Sequence, residues 1–290
     1  KVNISKPGGL LDTGINRPGG MVSAYVRLAE GCNQGCSFCI IPQLRGKYRS
    51  RPEKQILAEI AHLAATGTRE LNLIAQNTTY YGWDLYRELR LAKLIRQIIK
   101  IKPLRWVRIL YTHPRYFTDE LIETIAVEPQ VCKYIDLPLQ HCNDRILKLM
   151  RRGVTKKEIS NLINTLRVRI PGVALRTTFI AGFPTETEPE FQELVKFIRE
   201  MQFDHLGAFT YSREEKTAAA GIKPQIGQQI QKERLHRLMM AQKQIVQRVN
   251  KTKIGRVMEM LVESIQRRYC YGRSQTAAPE VDNLIKVHLN

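Results

Sequence analysis

No apolar run in this sequence is long enough to cross a bilayer, and its amino terminus, Lys1-Val-Asn-Ile-Ser5, lacks a signal-peptide pattern. Both absences argue against a membrane span or a secretory route, so a soluble, cytoplasmic protein with no membrane partner is expected. Acidic residues are in short supply: 27 Asp and Glu stand against 46 Lys and Arg, a formal charge of +19 that favours an anionic partner such as RNA, a ribosome or another acidic surface. Cysteine is scarce as well. There are six, and Cys132, Cys142 and Cys270 stand alone, which fits free thiols in a reducing compartment better than a secreted disulfide framework.

The remaining three cysteines share one short stretch, Glu30-Gly-Cys-Asn-Gln-Gly-Cys-Ser-Phe-Cys39, at spacing C-x3-C-x2-C. Three thiols this close cannot all pair among themselves. A cubane iron–sulfur cluster normally takes four cysteines, so Cys32, Cys36 and Cys39 would hold one with an iron left free for another ligand. A zinc site completed by a distant histidine is the alternative.

With 290 residues the chain can hold one large core and a smaller appendage. Residues 1–21 carry Pro7-Gly-Gly and Pro18-Gly-Gly without apolar periodicity and read as a linker from an upstream domain. From Val22 a β-prone run, a loop and an amphipathic helix recur six times, with strands at Ser23–Leu28, Glu70–Ile74, Trp106–Leu110, Tyr134–Leu137, Ala174–Ile180 and His205–Tyr211. Such alternation implies a parallel sheet, whose reactive groups gather at the carboxyl ends of the strands. The cysteine loop, Gln76-Asn77, His113, Gln140-His141, Gly182 and Tyr211-Ser212 all fall there. Capping boxes mark helix starts at Ser50-Arg-Pro-Glu53, Thr155-Lys-Lys-Glu158 and Thr187-Glu-Pro-Glu190. The long helix from about Gln228 to Asn250 reads as a solvated basic face, Arg234 included, beside a core stripe of Leu235, Leu238 and Met239, with substrate or RNA contact as the alternative. Three short β-like runs after Lys253, Val257–Glu263, Arg268–Gly272 and Leu284–Leu289, suggest a small β-domain that looks incomplete.

Cys32-x3-Cys36-x-Phe-Cys39 resembles the signature of the radical S-adenosylmethionine enzymes, and Phe38 takes its aromatic position. The likeness extends to the methylthiotransferase family, through Glu30-Gly-Cys-Asn, Cys39-Ile-Ile-Pro42, Arg45-Gly46 and Arg49-Ser-Arg-Pro52. Tyr134-Ile-Asp-Leu-Pro-Leu-Gln-His141 and Gly272-Arg-Ser-Gln-Thr-Ala-Ala-Pro-Glu-Val-Asp282 are similar to the branch that methylthiolates an aspartate β-carbon in ribosomal protein S-twelve, rather than to the tRNA-modifying branch.

This resemblance implies a partial (βα)6 barrel over 22–252 and a TRAM-like β-domain over 253–290. It also implies a 4Fe-4S cluster on Cys32, Cys36 and Cys39, reductive cleavage of S-adenosylmethionine to a 5′-deoxyadenosyl radical, and an electron donor. Cofactor contacts are implied for Phe38, Gln76, Asn77, Gln140, Arg176, Gly182 and Pro184. Gly182 would let a flat ligand approach the backbone, and Arg176, inward on its strand, needs an anionic partner that the cofactor carboxylate could supply. His141 would face the barrel mouth, where a lone histidine is more often structural. Lys216 stands where the family often has glycine, and Asn77 where the ribosomal-protein branch often has Asp. The family's second cluster lies on an amino-terminal domain that this sequence does not contain. The partners implied are the ribosomal protein or ribosome, with possible RNA contact. A tRNA-modifying enzyme and a non-enzymatic RNA-binding protein with a structural metal loop are the competing readings.

Overall fold

The computed structural model describes residues 20–289; all of the expected linker but Gly20 and Met21 lies outside them. Six parallel strands form one curved sheet in sequential order: β1 (Ser23–Arg27), β2 (Glu70–Ile74), β3 (Trp106–Ile109), β4 (Val131–Asp136), β5 (Ala174–Ala181) and β6 (His205–Thr210). A long helix follows each strand and covers the outside: α1 (Glu53–Ala65), α2 (Leu91–Ile98), α3 (Asp119–Val127), α4 (Lys156–Arg169), α5 (Glu188–Met201) and α6 (Gln228–Lys251). The six expected repeats are therefore present as a partial barrel, each strand within four residues of its sequence limits. No helix among the described residues is long and apolar enough to cross a membrane.

The sheet register sorts the strand residues into two faces. Val26, Leu73, Ile109, Ile135 and Leu175 lie in one row across β1 to β5 and are buried under the helices. A strand alternates its side chains, so the residues on either side of that row point into the barrel. Helix patterning supplies the opposing layer: Leu91, Leu94, Ile95 and Ile98 of α2 recur at three and four and are all buried. On α6, Leu238, Ala241 and Ile245 form the core stripe, whereas Met239, expected in it, stands exposed.

Two of the three capping boxes form. Thr155 and Glu158 satisfy one another at the start of α4, and the Thr187 amide donates to Glu190 at 2.8 Å at the start of α5. The Ser50 box does not form. The Ser50 hydroxyl donates to Asp84 at 2.5 Å and Glu53 accepts from Arg90 at 2.7 Å, so tertiary partners outcompete the local cap.

A small antiparallel sheet follows the barrel, in the order β9 (Ile285–His288), β8 (Tyr269–Arg273), β7 (Leu261–Gln266). The segment after β8, Arg273 to Asp282, turns back into the barrel and fills the amino-terminal half of its interior. Ala278 packs there with inward-facing Trp106, Leu110, Cys132, Tyr134 and Ala174. The Glu70 carboxylate accepts from Arg108 at 2.9 Å and from Arg273 at 2.5 Å, and all three side chains are fully buried. Burial alone would raise the Glu70 pKa, but the two guanidinium groups outweigh it and hold the carboxyl below its usual range. Arg108 also donates to the Gln275 carbonyl at 2.8 Å. At the end of the segment, Asp282 accepts from Tyr134 at 2.7 Å, from Arg176 at 3.1 Å and from the Ala278 amide at 2.8 Å, with His205 Nδ1 at 3.1 Å.

Glu70→Gln would leave two buried guanidinium groups without their shared anion. We expect a loss of about 3–5 kcal/mol in a urea unfolding titration, the range for breaking a buried pair from one side. Burial would raise the Asp282 pKa, but His205, Ala278 and Tyr134 bring it down from the ordinary 3.8 to about 2. Its stabilising contribution is therefore complete above about pH 4 and lost as the pH falls toward 2. An Asp282→Asn chain should lose less stability than the parent across that acid window.

Candidate active site

The cysteine loop leaves β1 through a two-residue ladder, Ala29–Glu30 against Arg49–Ser50, and is held against the carboxyl ends of the strands. Gly31 has φ +81, and a Cβ there would lie 2.2 Å from the Lys47 carbonyl, so only glycine allows this approach. Buried Glu30 pairs with Arg27 at 2.6 Å and Arg45 at 3.2 Å. The Cys32 amide donates to the Gly46 carbonyl at 3.2 Å, the Tyr48 amide to Asn33 at 3.0 Å and the Ser37 amide to the Met150 carbonyl at 3.0 Å. The Glu30-Gly and Arg45-Gly46 segments thus fix the shape of the loop.

All three thiols are free and partly exposed. The Gln34 amide lies 3.5 Å from Cys32 Sγ, and Arg152 Nη1 lies 3.4 Å from Cys36 Sγ. Burial pushes the Cys32 and Cys39 thiols up, and neighbouring cysteines add to that rise in both. Among the described residues no three His, Cys, Asp or Glu side chains are already gathered as a metal-holding group.

Around this loop the rim carries buried polar atoms with no hydrogen-bond partner: Ser37 Oγ, Asn77 Nδ2 and His113 Nε2. Such atoms are costly to bury unless a ligand satisfies them. His113 Nδ1 accepts from the Arg115 amide at 3.3 Å, which leaves the ring proton on Nε2. Burial, then the charges of Arg152 and Arg115, lower its pKa to about 2 and keep the imidazole neutral. Tyr48, Tyr80 and Tyr116 form an edge-to-face ladder alongside, with centroids 5.1 and 5.0 Å apart. Gln34 donates to the Tyr116 hydroxyl at 3.0 Å, tying the ladder to the cysteine loop.

The other expected contacts divide. Gln76 is exposed beyond β2, and Gln140, with φ 72, bridges to Phe179 of β5. Phe38 packs beside Phe183 and Tyr211. Arg176 already has its anionic partners inside the chain, Asp282 and, at 3.7 Å, Asp136. The reasoning that asked for a partner holds, but the partner is a carboxylate of the interior segment.

Gly182, with φ +72, is not open to a flat ligand: a Cβ there would lie 2.4 Å from Gln231 Cγ, so the missing side chain makes room for α6. Pro184 is buried in the same turn. His141 is fully buried rather than facing the mouth. Its Nδ1 accepts from the Asn143 amide at 3.0 Å, and its Nε2 lies 3.5 Å from Glu186. Glu186 also accepts from the Gly182 amide at 3.2 Å and from Arg234 at 2.6 Å. Arg234 is accordingly a buried cross-link between α6 and the β5 turn, not part of a solvated face. Sequence reasoning missed Arg152, the tyrosine ladder and the Asp282 anchor. None of the three carries a local signal, because each depends on a partner far along the chain.

A parallel half-barrel that opens its carboxyl rim onto a C-x3-C-x2-C loop defines a class of enzyme, and the chain belongs to it: the Radical SAM superfamily matches residues 26–198. Membership implies an iron–sulfur cluster and S-adenosylmethionine as cofactors, and the thiol loop with its unpartnered rim donors fits both. A TRAM domain match covers residues 254–290.

Among individual proteins the chain is similar to "Ribosomal protein uS12 methylthiotransferase RimO" of Caldanaerobacter subterraneus subsp. tengcongensis, 50% identical over 264 residues, covering 91% of this chain and 60% of that protein. The same-named protein of Heliobacterium modesticaldum is 49% identical, covering 91% and 57%. The chain thus spans about three-fifths of these relatives. Solved structures share the fold: coproporphyrinogen III oxidase (HemN) of Escherichia coli has a TM-score of 0.59 at 21% identity, covering 81% of this chain and 55% of that one. The methyltransferase TsrM of Kitasatospora setae gives 0.57 at 20%, covering 69% and 38%.

Gly182→Ala should lower stability by about 1–3 kcal/mol through left-handed strain and the clash with α6. Adding Gln231→Ala should recover the clash but not the strain, which thermal unfolding of the single and double variants separates.

Proposed function

We propose that the chain forms the radical-generating part of a cytoplasmic methylthiotransferase that modifies an aspartate β-carbon in ribosomal protein S-twelve. The observation that carries this reading is the cysteine loop pinned on the carboxyl rim beside unpartnered Ser37, Asn77 and His113. The names of these relatives support the reaction and its substrate.

In this reading Cys32, Cys36 and Cys39 hold a 4Fe-4S cluster with one iron left for S-adenosylmethionine, and Phe38, Gln76, Asn77 and Gln140 line the cofactor's side of the rim. When bound, cluster and cofactor supply a one-electron reductive cleavage that yields a hydrogen-abstracting carbon radical. The residues of the chain bind, orient and exclude water. His113 Nε2–H and Asn77 Nδ2–H donate to ligand acceptors, and the rise in thiol pKa at Cys32 and Cys39 means that both must release protons on taking up metal. The Arg273–Asp282 segment closes the interior opposite the rim, so it would exclude water from that side of a bound cofactor. Arg176, Gly182 and Pro184 serve the wall and floor of the chamber through the contacts described above.

Cys132, Cys142 and Cys270 are all buried, in the barrel interior, the helix-covered core and β8 respectively. They cannot share a cluster, so the sulfur-donating second cluster belongs on residues outside this chain. The exposed face of β7 and β9, with Arg267, Arg268 and Lys286 close by, supports docking to the ribosome or its RNA.

Anaerobic reconstitution with iron and sulfide, followed by dithionite and S-adenosylmethionine, tests the reading. We expect 5′-deoxyadenosine by mass spectrometry without methylthio transfer; full transfer by this chain alone would overturn the need for a second cluster. Cys36→Ala should lose the brown chromophore. Zinc in place of iron and sulfide would favour a binding module. Methylthio groups lost from tRNA but not from ribosomal protein, when the whole gene is deleted, would favour the tRNA-modifying branch.

A further inference from the structure

The charge balance behind the cysteine loop is uneven. Arg152 is only 7% exposed, yet among the described residues its contacts are a thiol and a backbone carbonyl and no carboxylate pairs with it. Its arrival there is built in: the helix Asp144–Leu149 ends at Met150, Arg151 takes a left-handed φ of 57, and the turn directs Arg152 inward while Arg151 stays exposed. Nη2 donates to the Pro138 carbonyl at 2.6 Å, which anchors the guanidinium to the loop after β4. Nη1 then lies 3.4 Å from Cys36 Sγ, and Nε has no partner. A buried guanidinium without an anion is strongly unfavourable, so the arrangement calls for negative charge at the cysteine loop.

We propose that Arg152 is a positioning residue that counter-charges the Cys36 edge of the cluster and raises its reduction potential; this rests on the cluster reading above. Charge and hydrogen bonds at the sulfurs are the protein's main means of tuning such potentials. The added electron, supplied by an external one-electron reductant, places one more negative charge beside a fixed cation. The reduced form gains more from Arg152 than the oxidised form does. Arginine suits the task because it stays charged and its planar fork reaches Pro138 and Cys36 together.

The test uses the wild-type chain, Arg152→Lys and Arg152→Gln, each reconstituted anaerobically with iron and sulfide and titrated redox-potentiometrically while the reduced cluster is followed by electron paramagnetic resonance. We expect equal iron per chain. At a fixed potential the ratio of reduced to oxidised cluster should be about tenfold lower for Arg152→Gln, a 59 mV downward shift for a one-electron couple. Arg152→Lys should fall between. An Arg152→Gln midpoint equal to wild type would overturn the proposal. So would loss of the cluster from both variants with secondary structure intact by circular dichroism, because Arg152 would then only hold the loop. If Arg152→Gln alone takes up no iron, Arg152→Lys decides: a lowered midpoint supports the proposal and an unchanged one overturns it. A wild-type chain that takes up neither iron nor sulfide would instead sink the cluster reading itself.

Discussion

One carboxylate, Glu70, organises the interior of this barrel. It stands at the first position of β2, inside the sheet, and joins Arg108 of β3 to Arg273 of the carboxyl-terminal segment, with all three side chains out of contact with water. Removing three charges from water is expensive, and their attraction offsets the cost only where geometry and additional hydrogen bonds are good. Here they are: Arg108 also reaches the Gln275 carbonyl, and Arg273 reaches Glu263 and the Ala277 carbonyl. An apolar plug of the same volume could slide or invert. A charged one has a single register.

That anchoring divides the barrel into two levels. Below, inward charges are met by the returning segment, Glu70 by Arg273, and Arg176 and His205 by Asp282. Above, donors are left without partners and non-glycine backbone is held in left-handed conformations after two successive strands, at Tyr111 and Gln140. Strain and unmet hydrogen bonds persist only where surrounding structure over-determines them, and they concentrate where a ligand is to be received. The filled lower level is what lets the upper one remain unsatisfied.

Much of this was legible beforehand, for a definite reason. Six strand–helix repeats follow from apolar periodicity, which is local, and the cysteine loop follows from spacing within eight residues of chain, Cys32 to Cys39. What failed was reasoning that needed a partner's address. Ser50 and Glu53 carry the pattern of a capping box, but Asp84 and Arg90 reach them first. Gly182 looks like an approach for a ligand until α6 is seen to fill the space. The inward position of Arg176 calls for an anion, yet nothing local says that it lies 106 positions away at Asp282. Arg152 left almost no trace, since a buried guanidinium and a solvated one are spelled the same.

The separation along the chain between Glu70 and Arg273 is 203 positions. Closure of so long a loop is entropically slow and comes after the strand–helix repeats, whose contacts are near in sequence. Before Arg273 to Asp282 are in place, Glu70 lacks Arg273, and Arg176 and His205 lack Asp282. The parallel barrel and the antiparallel sheet beyond it are therefore one structural unit: residues more than two hundred positions along the chain finish the first strands.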